Sequence, residues 1–221
     1  MVGLADRTER EALLARKLRR AMGEARKLLL QAVEDGVVTD DEWRAIAQTF
    51  QAAIQVELET TALAAGLEAA EALGIGIDPA ALHARAIEWA RQYSFELVSK
   101  LDQRNRALLQ QTIGDYFANG LSLSDVEARL TQAFGPVRAQ IIAVTETTRA
   151  SSEGRQAFAR ELEQMGLKPV VIWKTANDEI AGSCPICGPR NNRPIDEVGG
   201  APPGHPNCRC TTSIELREGT R

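Results

Sequence analysis

Cysteine and histidine are scarce in this chain, and those present are gathered in one place. Cys184-Pro-Ile-Cys187 is followed by Ala201-Pro-Pro-Gly-His205-Pro-Asn-Cys208-Arg-Cys210, a span that holds all four cysteines and one of the two histidines. The spacing reads C-x2-C-x20-C-x-C, or C-x2-C-x17-H-x2-C with His205 in place of Cys210. Two close pairs of soft donors joined by a loop can surround one tetrahedral zinc. Cys184-x2-Cys187 has the spacing of a tight turn that aims two thiolates at one point. Cys208 and Cys210 are two apart, so on an extended segment both side chains face the same way. The expected site draws on Cys184, Cys187 and Cys208, with either His205 or Cys210 as fourth ligand. Disulfides and inert buried thiols are the alternatives to a metal.

A structural zinc suits the surroundings. The Gly- and Pro-rich stretch 188–204 has little apolar content to order it, and metal binding adds folding free energy on the order of 10 kcal/mol in peptide systems. A catalytic zinc would keep one position open to water and have a base nearby. Asp196 and Glu197 are the acids in the loop, but solvated loop acids are common, and the protein ligands suffice to fill the site. Elsewhere, His83 stands alone on a helix, Glu146 lies between two threonines with no nucleophile beside it, and Gly74-Ile-Gly76 reads as a turn. No catalytic constellation emerges.

The elements that must carry this cluster are mostly helices. Thr8 is a candidate N-cap for a helix to about residue 34, with Leu13, Leu14, Leu18, Met22, Leu28 and Leu29 as apolar positions, ending at Asp35-Gly36. Thr39-Asp-Asp-Glu42 is a capping box that opens a helix to about Leu73, with Trp43, Ile46, Phe50, Ile54, Val56 and Leu63 for packing. Asp78-Pro79 starts the next helix, which carries Leu82, Ile87, Trp89, Phe95 and Leu97 and has a predicted break near Ser99. Another helix covers 103–118, and Ser122 caps a short one ending at Phe134-Gly135-Pro136. Val137 to Met165 reads as one long helix, although Thr145-Glu-Thr-Thr148 favours it poorly. Val170–Thr175 and Thr211–Leu216 read as strands, with the cysteine loop between them.

The expected fold class is mainly α: a helical N-terminal part, 1–135, and a small C-terminal α+β module, 136–221, stapled by the metal site. A composition rich in Ala and Leu with 5% aromatics agrees with closely packed helices. No apolar run is long enough to span a bilayer, and Met1–Thr8 shows no signal-peptide core, so the chain is expected in a reducing cytoplasm, where clustered cysteines bind metals. Net charge is −4, with a basic start around Arg16-Lys17-Leu-Arg19-Arg20 and an acidic stretch 31–80. The acidic middle argues against wrapping the chain along nucleic acid, while the basic start leaves local DNA contact open.

The C-terminal module resembles the phage Mu F-like head-morphogenesis proteins, minor capsid proteins of tailed bacteriophages. The residues that carry the likeness are Thr145-Glu146-Thr147 with Arg149-Ala150, Trp173, Asp178, Cys184-Pro185-Ile-Cys187, and Pro202-Pro203-Gly-His205-Pro206-Asn-Cys208-Arg209-Cys210, covering about 136–216. Two features depart from the pattern: Val144 stands where an Arg is frequent, and the stretch from Asp178 to Cys184 is long. The resemblance implies a low-copy protein of the virion, in the head interior or at the portal vertex, made in the host cytoplasm. It implies partnership with the portal protein and with scaffold or major capsid protein, and a role in head assembly, DNA packaging or ejection. The alternatives are a metal-dependent hydrolase or nuclease, and a DNA-binding zinc module using Arg190, Arg193, Arg209 and the basic first helix.

Overall fold

The computed structural model describes residues 4–35, 38–176 and 183–217. Its elements are α1 (Leu4–Asp35), α2 (Asp40–Leu73), α3 (Pro79–Asn119), α4 (Leu123–Phe134), α5 (Pro136–Gln164), β1 (Pro169–Lys174) and β2 (Thr211–Leu216), with a 3-10 turn at Gly188–Arg190. The mainly α architecture with a small α+β end is the one expected.

Local chemistry sets most of the boundaries. Thr39 and Glu42 form the reciprocal capping box, and Ser122 and Asp125 form a second. Asp78 accepts from the Ala80 amide with Pro79 in the first helical position. α2 and α3 end on Gly74 and Gly120, both in the left-handed conformation. Two boundaries differ from the expected ones. α1 starts at Leu4, so Thr8 lies inside the helix; Arg7 and Glu11 are held by the cysteine module, which favours an extra helical turn there. α3 runs unbroken through Ser99, whose hydroxyl donates to the Phe95 carbonyl at 2.8 Å and so stays within the helical bonding pattern. The proposed end of α1 at Gly36 and the link at Val37 lie outside the described residues.

The main core is built from stripes at helical spacing: Leu14, Leu18, Met22, Ala25 and Leu29 on α1, and Trp43, Ile46, Phe50, Ile54 and Leu58 on α2. Leu28, Val56, Ile87 and Phe95, expected as packing positions, are exposed because each falls off its helix's buried stripe. α5 is the central strut, with buried residues from Ala139 to Leu162. It meets α2 at a very short distance: a Cβ on Gly154 would lie 1.9 Å from the Ala62 carbonyl oxygen, and one on Gly66 would lie 3.0 Å from the Gly154 oxygen. Only glycine lets these two backbones touch.

β1 and β2 pair antiparallel, from Pro169 opposite Leu216 to Lys174 opposite Thr211. Ile214 of β2 packs with Phe158 and Leu162, laying the hairpin on the C-terminal half of α5. The other edge of β1 is occupied by the loop: the Trp173 amide donates to Arg193 O, the Asn192 amide to Trp173 O and the Ile195 amide to Val171 O, all between 2.8 and 2.9 Å. The long connection is thereby folded back beside the sheet.

Candidate metal centre

The cysteine arms are two turns of different make. In the first, the Gly188 amide donates to Cys184 O at 2.9 Å and the Cys187 amide to Cys184 Sγ at 3.4 Å, closing the turn so that both sulfurs point inward. The 3-10 turn follows, with the Arg190 amide donating to Cys187 O. In the second, the Cys208 amide donates to His205 O at 3.3 Å, and Asn207 takes a left-handed φ of 63°. Beyond it the chain extends through Cys210 into β2. Cys187, Cys208 and Cys210 are buried against Trp173, whose side chain is fully enclosed.

The five expected donors fall into two overlapping groups of three. Cys184, Cys187 and His205 form one group with donor atoms within 4.8 Å of one another, and Cys187, Cys208 and Cys210 form a second; Cys187 belongs to both. With Zn–S near 2.3 Å and Zn–N near 2.0 Å, a tetrahedral site has S–S edges of about 3.8 Å and S–N edges of about 3.5 Å. The Cys187 Sγ–Cys208 Sγ separation is 3.8 Å and Cys184 Sγ–His205 Nε2 is 3.5 Å. The His205 Nδ1 lies 2.8 Å from Pro206 O, an acceptor only, so Nδ1 carries the proton and a neutral ring presents the Nε2 lone pair. Either group of three could hold a soft divalent ion, His205 belonging to the first and Cys210 to the second, while the expected trio Cys184, Cys187 and Cys208 is not itself one of them.

The electrostatics divide the sulfurs. Backbone amides of Cys187 and Ile186 hold the Cys184 thiol below its ordinary range. Donation by the Cys210 thiol lowers Cys208 to about 5. Burial pushes Cys187 up to about 12, and the proton that Cys210 shares with Cys208 pushes Cys210 upward. His205 is raised, first by its bond to Pro206 O. Cys208 is thus held ready as a thiolate and Cys184 is shifted toward one, beside two sulfurs that must release protons to bind a metal.

The helices position this loop through contacts that composition and spacing did not reveal. Thr145 and Thr148 sit three apart on α5, so they share a face. Thr145 Oγ1 accepts from the Asn207 amide at 2.8 Å, and the Thr148 hydroxyl donates to Cys208 O at 2.5 Å. The threonines that weaken the helix on propensity therefore anchor the second cysteine arm. From α1, Arg7 donates to Cys210 O at 3.4 Å and also reaches Thr148 Oγ1. Glu11, 4% exposed, accepts from Arg7 at 3.3 Å and twice from Arg209 at 3.2 Å. The only sequence signal for these roles is two threonines at helical spacing inside a predicted helix; nothing marked Arg7 or Glu11.

Other residues singled out from the sequence lie apart from the cluster. Asp196 accepts from the Glu197 amide, and Glu197 pairs with Arg193; among the described residues no carboxylate joins either donor group. Arg190 stacks on Trp173 with 5.1 Å to the ring centre, and Arg209 is engaged by Glu11. His83, near the start of α3, faces Glu59 of α2 at 3.1 Å. In the basic start, Lys17 pairs with Glu57 and Arg20 with Glu24. Glu146 is buried, accepting from Tyr93 at 2.8 Å and Arg149 at 3.2 Å. Asp178 and the stretch to Gly182 lie outside the described residues.

A helical body carrying a two-stranded module, with four cysteines and a histidine gathered at the loop between its strands, is the class of protein defined here. Residues 107–213, just under half of the chain, match the family model described as Phage Mu protein F like protein, a likeness that supports a phage Mu F-like protein. The matched region includes every candidate ligand together with α4, α5 and the end of α3. No curated protein and no solved structure matches the chain. The family points to phage head morphogenesis, to capsid-related partners and to the virion. No helix among the described residues is long and apolar enough to cross a membrane.

Proposed function

We propose that the protein is a minor head protein of a bacteriophage, associated with the portal vertex, that assists head assembly, DNA packaging or ejection. The family match over 107–213, which takes in the loop that holds the cysteines, is the observation that carries this reading. Residues 136–221 act as a module stapled by a structural zinc on Cys184, Cys187 and Cys208 with His205 or Cys210, and residues 1–135 supply the surface that meets the portal, scaffold or major capsid protein. The engagement of Arg190, Arg193 and Arg209 within the protein supports a role through protein contacts rather than through DNA phosphates.

Co-purification of the full chain with the portal protein of its own phage tests the partner; absence of any complex, with both proteins folded, refutes it. Metal analysis tests the staple. The purified chain should hold one zinc, and its removal by a chelator should lower the melting temperature. An unchanged melt after verified metal removal defeats the structural-zinc reading.

A further inference from the structure

Outside the cysteine centre, the feature with the clearest chemical demand is a groove of about 710 Å³ between α3 and α5. One wall is Leu97, Leu101 and Arg104, a stripe at i, i+4 and i+7 on α3; the other is Val137, Arg138 and Ile141 on α5. Val137 is 73% exposed and Ile141 is 36% exposed, so the apolar strip faces outward. The α3 wall spans eight residues, Leu97 to Arg104, about 10 Å, which is the length of two helical turns.

The charge in the groove is unbalanced. Arg104 and Arg138 have no carboxylate partner among the described residues, and burial, followed by repulsion from Arg104, weakens the charged form of Arg138. The acid that also lines the groove, Glu146, is already engaged by Tyr93 and Arg149. An apolar trough with two unmatched guanidiniums at its rim fits carboxylates carried on an apolar helix face, since Arg binds carboxylates through paired, directional donors. Nucleic acid would leave the leucine, valine and isoleucine walls without a counterpart.

We propose that this groove receives a short amphipathic helix of a partner protein, two turns long, with acidic side chains beside its apolar face. Pro206, next to His205, also lines the groove, so the bound helix lies beside the second cysteine arm. The proposal rests on the reading that the chain works through protein partners in the phage head, and it names where and by what chemistry one of them binds.

The test places p-benzoylphenylalanine at Val137 of the full chain and irradiates phage-infected cells. The expected product is a cross-linked peptide from another head protein, with at least two Asp or Glu and apolar residues three or four apart. Arg104→Glu with Arg138→Glu should lower that yield at least tenfold, whereas Arg104→Lys with Arg138→Lys should retain most of it; retention in the Lys pair shows that charge, not folding, is responsible. A cross-link to DNA, to a second copy of the chain or to a segment without acids overturns the proposal, as does no cross-link. Incorporation of the chain into purified heads is scored separately, so a missing docking helix is distinguishable from a protein that is not in the head at all.

Discussion

Gly154→Ala tests the packing that holds α5, and with it the threonines beneath the cysteine loop. A Cβ at residue 154 would fall 1.9 Å from the Ala62 carbonyl oxygen, 2.7 Å from its carbon and 3.0 Å from its Cα, where ordinary contact begins at 3.4 Å. The obstacle is backbone, so no side-chain rotation relieves it, and α2 and α5 must separate by about 1.5 Å at this point. Overpacking that side chains can absorb costs about 1–3 kcal/mol, and a backbone obstacle belongs above that range, at about 4 kcal/mol. Alanine's better helix propensity returns about 1 kcal/mol, leaving a net loss of about 3 kcal/mol. For a chain of this length that corresponds to a fall in melting temperature of about 6–12 °C. Gly23 on α1 and Gly114 on α3 are the internal controls, because an added Cβ at either meets nothing within 4 Å. Gly23→Ala and Gly114→Ala should be neutral or stabilise by up to about 1 kcal/mol. The measurement is urea unfolding of all three variants at saturating zinc, with midpoints compared at a common slope. If Gly154→Ala behaves like the two controls, the close approach of α2 and α5 and the reasoning built on it are wrong.

Zinc loading should release protons, because Cys187 stands at about 12 and Cys210 is also raised, while Cys208 stands at about 5. Calorimetry at pH 8 in buffers of different ionisation heat should count at least two protons if Cys210 is a ligand, and Cys210→Ser then lowers the count by about one; a count that does not fall assigns the fourth position to His205. Glu11→Gln leaves Arg7 and Arg209 without their shared buried carboxylate, and should cost about 2 kcal/mol, reduced from a fully buried pair because Arg209 is half exposed. The same variant should lose zinc faster to a chelator, and an unchanged exchange rate would show that α1 does not brace the loop. Glu146 is raised above its ordinary value of 4.5, mainly by burial. The native state therefore binds more protons than the unfolded state just above pH 4.5, so its contribution to stability is present below that pH and is lost as pH rises through the folded value. Glu146→Gln should flatten that decline in a pH series of melts; a variant with the wild-type slope would assign the decline to another group.

Much of the fold is legible because local chemistry is sufficient for it. The capping box at Thr39 and Glu42, the Asp78-Pro79 start and the β-branched and aromatic run Val170–Trp173 concern residues that interact within a few positions. The errors occur where distant contacts outweigh local preference. Ser99 looked like a breaker, yet its hydroxyl bonds back along α3. Thr8 looked like a cap, yet the anchoring of Arg7 and Glu11 by the cysteine module carries α1 past it. Phe95 and Val56 looked like packing residues because apolarity is local information, whereas the face a long helix buries depends on its neighbours.

The candidate ligands were all present in the sequence, because thiols and imidazole are rare and their spacing is covalent fact. Two pairs at C-x2-C and C-x-C already limit the chemistry to a thiol-rich centre. Their convergence, however, is decided by tertiary structure. The two arms are separated by a loop with few apolar residues, and they meet because β1 pairs with both β2 and the loop, while Thr145 and Thr148 hold the second arm to α5. The brace from α1, nearly the whole chain away, is equally invisible to spacing, since Glu11 gains its meaning only when Arg209 is folded against it. What the sequence by itself determined is which atoms can bind a metal; what the tertiary structure decided is that helices at both ends of the chain hold those atoms in place.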